Sequence, residues 1–227
     1  MAKAGSKGGG HGGGATVVKF GEEERDLKET PLKFGEKDPA LAGASRKTVE
    51  DWENKRYKNK IEFSQFSMDD GSVYEENKGA RNHVGATPGA RRTADVLTHN
   101  HPRYGYGEEG YLSGTFSNGD GDLDNFCRFN QRTYRATGKE GTYSISKGKN
   151  FDSKLAGEYG KAMRSHEAEY DATMSNLRKQ LKSNQITYTE QSAMAKKAFN
   201  KWMVQNHNWL LANQKTYGYN YTLERRG

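Results

Sequence analysis

From residue 151 onward the chain changes period. Leu155, Tyr159, Met163, His166, Tyr170, Met174, Leu177 and Leu181 recur every three or four residues, the spacing of one face of an amphipathic α-helix of about eight turns at 3.6 residues each. A second run over 189–214 sets Met194, Ala198, Phe199, Trp202, Gln205 and Trp209 on one side. Ser183-Asn184-Gln185 lies between them and lets the two helices fold back as a hairpin. Gly218 supplies a stop. His166 and His207 fall on these helices as structural or surface residues, and the aromatic stripe reads as packing.

Upstream the period is that of strands. Ile61-Glu-Phe-Ser-Gln-Phe-Ser-Met68 reads as a strand, Asp69-Asp70-Gly71 as its turn, and residues 72–76 as the return strand of a hairpin. Residues 82–87 are a further strand candidate before the Pro88-Gly89 breaker. Residues 122–129 suit a short helix, and 133–136 with 141–146 suit a last hairpin. Ahead of these, 45–57 reads as a helix anchored by Trp52, with Thr48 and Asp51 in a cap-like spacing. Four segments result: a Gly-rich tail over 1–14, an extended arm with a short helix over 15–60, a sheet domain over 61–150, and the helical hairpin over 151–227, packed against that domain.

Composition narrows what these segments do. Half of residues 1–14 are glycine, too little to offset the entropy of ordering, and the lone His11 there carries no function. Lys19-Phe20-Gly21-Glu22 echoes Lys33-Phe34-Gly35-Glu36, as paired docking segments would. Only 32% of residues are hydrophobic, so the core is modest and relies on 13 tyrosines. A net charge of +7 favours anionic partners such as nucleic acid. The single cysteine, Cys127, excludes an internal disulfide and reads as a small buried residue. No apolar run is long enough for a membrane span, and residues 1–14 lack the apolar core of a secretion signal.

The chemistry concentrates in 96–120. Val96-Leu97-Thr98 is β-prone and delivers His99 and His101 two residues apart, on one face of a strand, so both imidazoles reach one ion. Further on, Ser117 can cap a helix start, with Asp120 in its first turn. Two imidazoles and a carboxylate form a three-ligand set that suits zinc and leaves a fourth position for water. His83 is a substitute ligand by residue type, but its strand position makes it a wall residue.

His99-Asn100-His101-Pro102 followed by Ser117-x-x-Asp120 resembles the zinc signature of the JAB/JAMM metalloproteases and their RadC-like bacterial relatives. The resemblance implies His99, His101 and Asp120 as zinc ligands and Ser117 as a stabiliser of the oxyanion. It also implies an upstream glutamate that takes a proton from the activated water. Glu75 and Glu76, on the strand before the histidine strand, are the candidates, and strand alternation puts only one of them on the metal side. The interval from His101 to Ser117 is longer than the family's, so residues 103–116 must loop out.

A wider run resembles a domain of tailed-phage minor head proteins and polymorphic toxins: Asp70-Gly-Ser-Val, the histidine motif, Thr137-Gly-Lys-Glu-Gly-Thr-Tyr, and Tyr217-Gly-Tyr-Asn-Tyr-Thr-Leu-Glu224. The expected fold is α+β, a small mostly antiparallel JAB-like sheet with flanking helices followed by the C-terminal helical hairpin. The functional expectations are three. One is a phage-related zinc peptidase or isopeptidase acting on a protein substrate. The second is a non-catalytic virion or head-associated protein that binds capsid partners or DNA, and the third is a toxin nuclease. The expected location is the virion or host cytoplasm.

Overall fold

A computed structural model describes residues 32–80, 83–102, 115–117 and 121–226. The Gly-rich tail, His11, the first Lys-Phe-Gly-Glu segment, Asp120 and most of the 103–116 loop lie outside the described residues.

Helix α1 (Gly43–Arg56) leads into β1 (Phe63–Ser67) and β2 (Val73–Lys78). Helix α2 (Pro88–Thr93), β3 (Val96–Asn100), α3 (Asp122–Arg128), β4 (Thr133–Thr137) and β5 (Thr142–Lys147) follow. The chain ends in α4 (Leu155–Lys182), α5 (Tyr188–Ala212), the one-turn α6 (Gln214–Tyr217) and β6 (Tyr219–Glu224). The six strands form one sheet in the order β2-β1-β3-β4-β5-β6.

The α+β class and the helical hairpin are as the residue pattern implies, but the sheet is mixed and not the mostly antiparallel one expected. β3 and β4 run parallel at its centre, between antiparallel neighbours. Parallel neighbours need a crossover on one face, and the segment containing α3 is that crossover. Residues 83–87 form no strand. Instead Thr87 caps α2, accepting from the Ala90 N–H, with Pro88 in the first turn, where a missing N–H costs nothing. Thr48 does not cap α1; its hydroxyl donates to Gly71 O at 2.8 Å. The expected last hairpin gains a further strand. Gly218, at φ 65, reverses the chain after α6 and sends Tyr219–Glu224 antiparallel along β5.

Register decides which side chains share a face. His99 pairs with Ser64 and Ala136, Tyr134 with Leu97 and Ile145, and Ile145 with Tyr221. These residues therefore project to one side, where Phe66, Phe116, Leu123, Phe126, Leu155, Tyr159 and Leu210 complete the main core. The opposite side carries Thr98, Arg135, Ser144 and Glu224, all buried beneath α1 and the arm. In α4 every residue of the apolar stripe from Leu155 to Leu181 is buried or half-buried. In α5 burial centres beside the expected stripe, on Met203, Asn206, His207 and Leu210. His207 is fully enclosed between Tyr221 Oη (2.8 Å) and Lys33 O (3.1 Å). Beyond the sheet, Met174, Leu177, Ile186 and Ala195 form a separate small core inside the hairpin.

Candidate metal centre

Strand β3 is central, so every one of its side chains is buried. His99 sits on the side of the apolar core, and His101, just past the strand end, comes to the same place two residues on. Their Nε2 atoms lie 2.9 Å apart. Asp122, in the first turn of α3, closes a triangle with Oδ1 3.1 Å from His99 Nε2 and Oδ2 3.4 Å from His101 Nε2. A tetrahedron with metal bonds of about 2.0–2.1 Å has edges of ~3.3 Å. The separations lie near that value with a different Asp122 oxygen nearest each imidazole, one donor atom from each of the three residues lies within 4.8 Å of the others, and two imidazole nitrogens with one carboxylate make a donor set that fits zinc.

Among the described residues the carboxylate is Asp122, two residues beyond the Ser-x-x-Asp spacing, and it is the local fold that puts it there. Acidic residues favour the first turn of a helix, where they meet unpaired N–H groups, and Asp122 and Asp124 open α3. Ser117 then fixes Asp122. Its N–H and hydroxyl donate to Asp122 Oδ2 at 2.9 and 2.8 Å, and its oxygen accepts from the Asp122 N–H at 3.0 Å. Ser117 thus holds a ligand, and its hydroxyl is engaged there and not directed at an oxyanion. Tyr159 anchors the preceding residue, donating to Phe116 O at 2.9 Å. Burial acts to raise the Asp122 carboxyl, but the charge and hydrogen bonds of His99 and His101 outweigh it and hold the group well below the usual carboxylate range.

Neither Glu75 nor Glu76 reaches this cluster. Both lie on β2, the outermost strand, and β1 stands between it and β3. Glu75 accepts from the Thr87 N–H and hydroxyl, and Glu76 accepts from Gln65 Nε2 at 3.0 Å. Among the described residues the glutamate at the site is Glu62, one residue before β1. Ser64 pairs with His99, so the same register carried two places sets Glu62 opposite His101. Its backbone is clamped: its N–H donates to Ala80 O at 2.7 Å and its carbonyl accepts from Gly79 N at 2.9 Å. Asn100, between the two histidines, holds the flanking residues, accepting from Phe63 N at 2.7 Å and donating to Ile61 O at 2.9 Å. Glu62 is buried, and burial pushes its carboxyl up against the opposing pull of His99 and His101.

Sequence reasoning missed Glu62 and Asp122 for different reasons. A charged residue heading an otherwise uncharged strand was the available signal for Glu62, but its value depends on β1 pairing with β3. Asp122 was visible as a helix start, and the spacing template drew attention to Asp120.

Glu62, His99, His101 and Asp122 line one cavity of about 540 Å³, and His83 stands in its wall. Cys127 is unbridged and half-buried, its thiol pushed up to about 11 by burial, which suits packing and not nucleophilic attack. No helix among the described residues is long and apolar enough to cross a membrane. The fold and site together define an α+β protein in which two buried histidines and a half-buried aspartate cluster beside a clamped glutamate. Compared with known proteins, the chain matches no family model, no curated protein and no solved structure.

Proposed function

We propose that this protein is a zinc-dependent hydrolase of peptide or isopeptide bonds, with His99, His101 and Asp122 as the metal ligands and Glu62 as the general base. One observation carries the reading: three ligand atoms converge within 4.8 Å of one another in a cavity that also holds a buried glutamate. Zinc in such a site supplies Lewis-acid activation of water, whose pKa falls toward neutrality. Glu62 takes the proton and returns it to the leaving amine. Glu62 is placed for this exchange, buried and opposite His101 in the register of β1 on β3. Asn100 keeps Glu62 in register with both histidines, and Ser117 keeps Asp122 turned toward them. The arrangement is similar in residue types to the JAB/JAMM signature, with Ser117 followed by Asp122 and the glutamate standing just before the strand that pairs with the histidine strand.

The test is zinc content and amide hydrolysis in the full-length protein. One zinc per chain is expected, lost in His101→Ala together with hydrolysis. A folded protein that takes up no zinc while its histidines are intact overturns the reading.

A further inference from the structure

The cavity at the metal cluster continues to the helical hairpin. Glu62, His99, His101 and Asp122 form its polar end; Met163 from α4 and Phe199, Trp202, Met203 and Asn206 from α5 form another wall. The stripe that sequence assigned to hairpin packing therefore also faces the site. Its rings are braced. Tyr170 stacks on Trp202 with centroids 5.3 Å apart, and Phe199 meets the same ring edge-on at 5.8 Å. Methionine fills irregular space and adapts to what it touches, and Met163 and Met203 are the pliable members of this wall.

Two side-chain donors of the wall residues have no hydrogen-bond partner among the described residues. Asn206 is fully buried, and its Oδ1 lies 2.7 Å from His166 Nδ1. Its Nδ2 is shielded from solvent and has no hydrogen-bond partner among the described residues; the same holds for Trp202 Nε1. Apolar walls with a few fixed polar groups, in a volume of about 300–1,000 Å³, are the usual make-up of a ligand site.

We propose that the hairpin wall is a substrate subsite. It takes a large apolar side chain, such as leucine, methionine or phenylalanine, next to the scissile amide of a peptide, seated against the half-buried Met163, Phe199 and Trp202. The inference rests on reading the cluster as a hydrolytic centre.

The test uses the full chain labelled with ¹⁵N and two probes, N-acetyl-leucine N-methylamide and N-acetyl-alanine N-methylamide. The leucine probe is expected to bind at least about tenfold tighter, since each methylene in an apolar pocket is worth about tenfold or more. It should shift the Asn206 side-chain amide and the Trp202 indole resonances. Phe199→Ala, and separately Met163→Ala, alter half-buried residues and should narrow the difference while circular dichroism shows the fold retained. Equal affinity for the two probes, no binding of either, or shifts confined to other regions overturns the subsite. Zinc-loaded protein separates the two readings. Cleavage without side-chain preference removes the subsite and keeps the hydrolase, whereas the expected leucine binding with no amide cleaved removes the hydrolase and keeps the subsite.

Discussion

On one side of the sheet Leu97, Tyr134, Tyr143 and Leu223 join a core of aliphatic and aromatic side chains. One residue further along each strand, Thr98, Arg135, Ser144 and Glu224 face the arm and α1 and are as deeply buried, yet every one is polar. The polar side is held by a closed network. Arg135 donates to Glu53 at 2.7 Å and to Glu224 at 2.9 Å; Glu53 also accepts from Thr98 and Thr142, and Glu224 from the Asp38 N–H and Arg46. Asp38 accepts from Ser144 and Ser146 at 2.8 and 3.0 Å. Buried charges are tolerable when each lone pair and proton has a partner. The difference teaches that burial alone does not assign a side chain to chemistry. The ionised network is saturated and structural, while the metal cluster opens on a cavity and has room for a ligand.

The sharpest way to break the comparison is Glu62→Gln. On the proposed hydrolase reading it removes the general base and lowers turnover about 10²–10⁴-fold, while zinc content and the unfolding midpoint stay near wild type. A stability loss in step with the activity loss would make Glu62 a structural residue like those on the other face. Next, Arg135→Ala should destabilise the fold by about 3–5 kcal/mol in urea unfolding, because it strands two buried carboxylates, with the zinc stoichiometry of the folded fraction unchanged. Replacing Arg135, Glu53 and Glu224 together with apolar residues of similar volume should recover most of that loss.

Acid should separate the faces. Burial pushes the His207 imidazole down to about 4 from its ordinary 6.5. A group with a lowered folded pKa gives stability that is present above its unfolded value and lost as pH falls toward the folded one. Stability on the apolar side should therefore fall by ~3 kcal/mol between pH 6.5 and 4, and His207→Gln should flatten that slope in urea titrations. Burial acts to raise the Glu224 carboxyl, but Arg135 outweighs it and holds the group below its usual range. By the same sign, its contribution drains only below the ordinary carboxylate pKa. The smallest effect is Ser144→Ala, at about 1–2 kcal/mol in unfolding measurements, for one hydrogen bond to the buried Asp38 carboxylate.

The sequence by itself determined the elements whose cause is local. Helix period placed α4 and α5, turn chemistry at Asp69-Asp70-Gly71 placed the first hairpin, and strand alternation brought His99 and His101 together. These depend on neighbours within a few residues. Strand order was decided by tertiary structure alone, because Tyr219–Glu224 completes the sheet only after two long helices have returned the chain, and β1, not β2, is what lies beside β3. That order selects Glu62 over Glu75 and Glu76. The start of α3, pinned by Ser117, brings Asp122 to the histidines. Pairing partners and crossovers depend on which faces bury together, and that energy is summed across residues far apart in the chain.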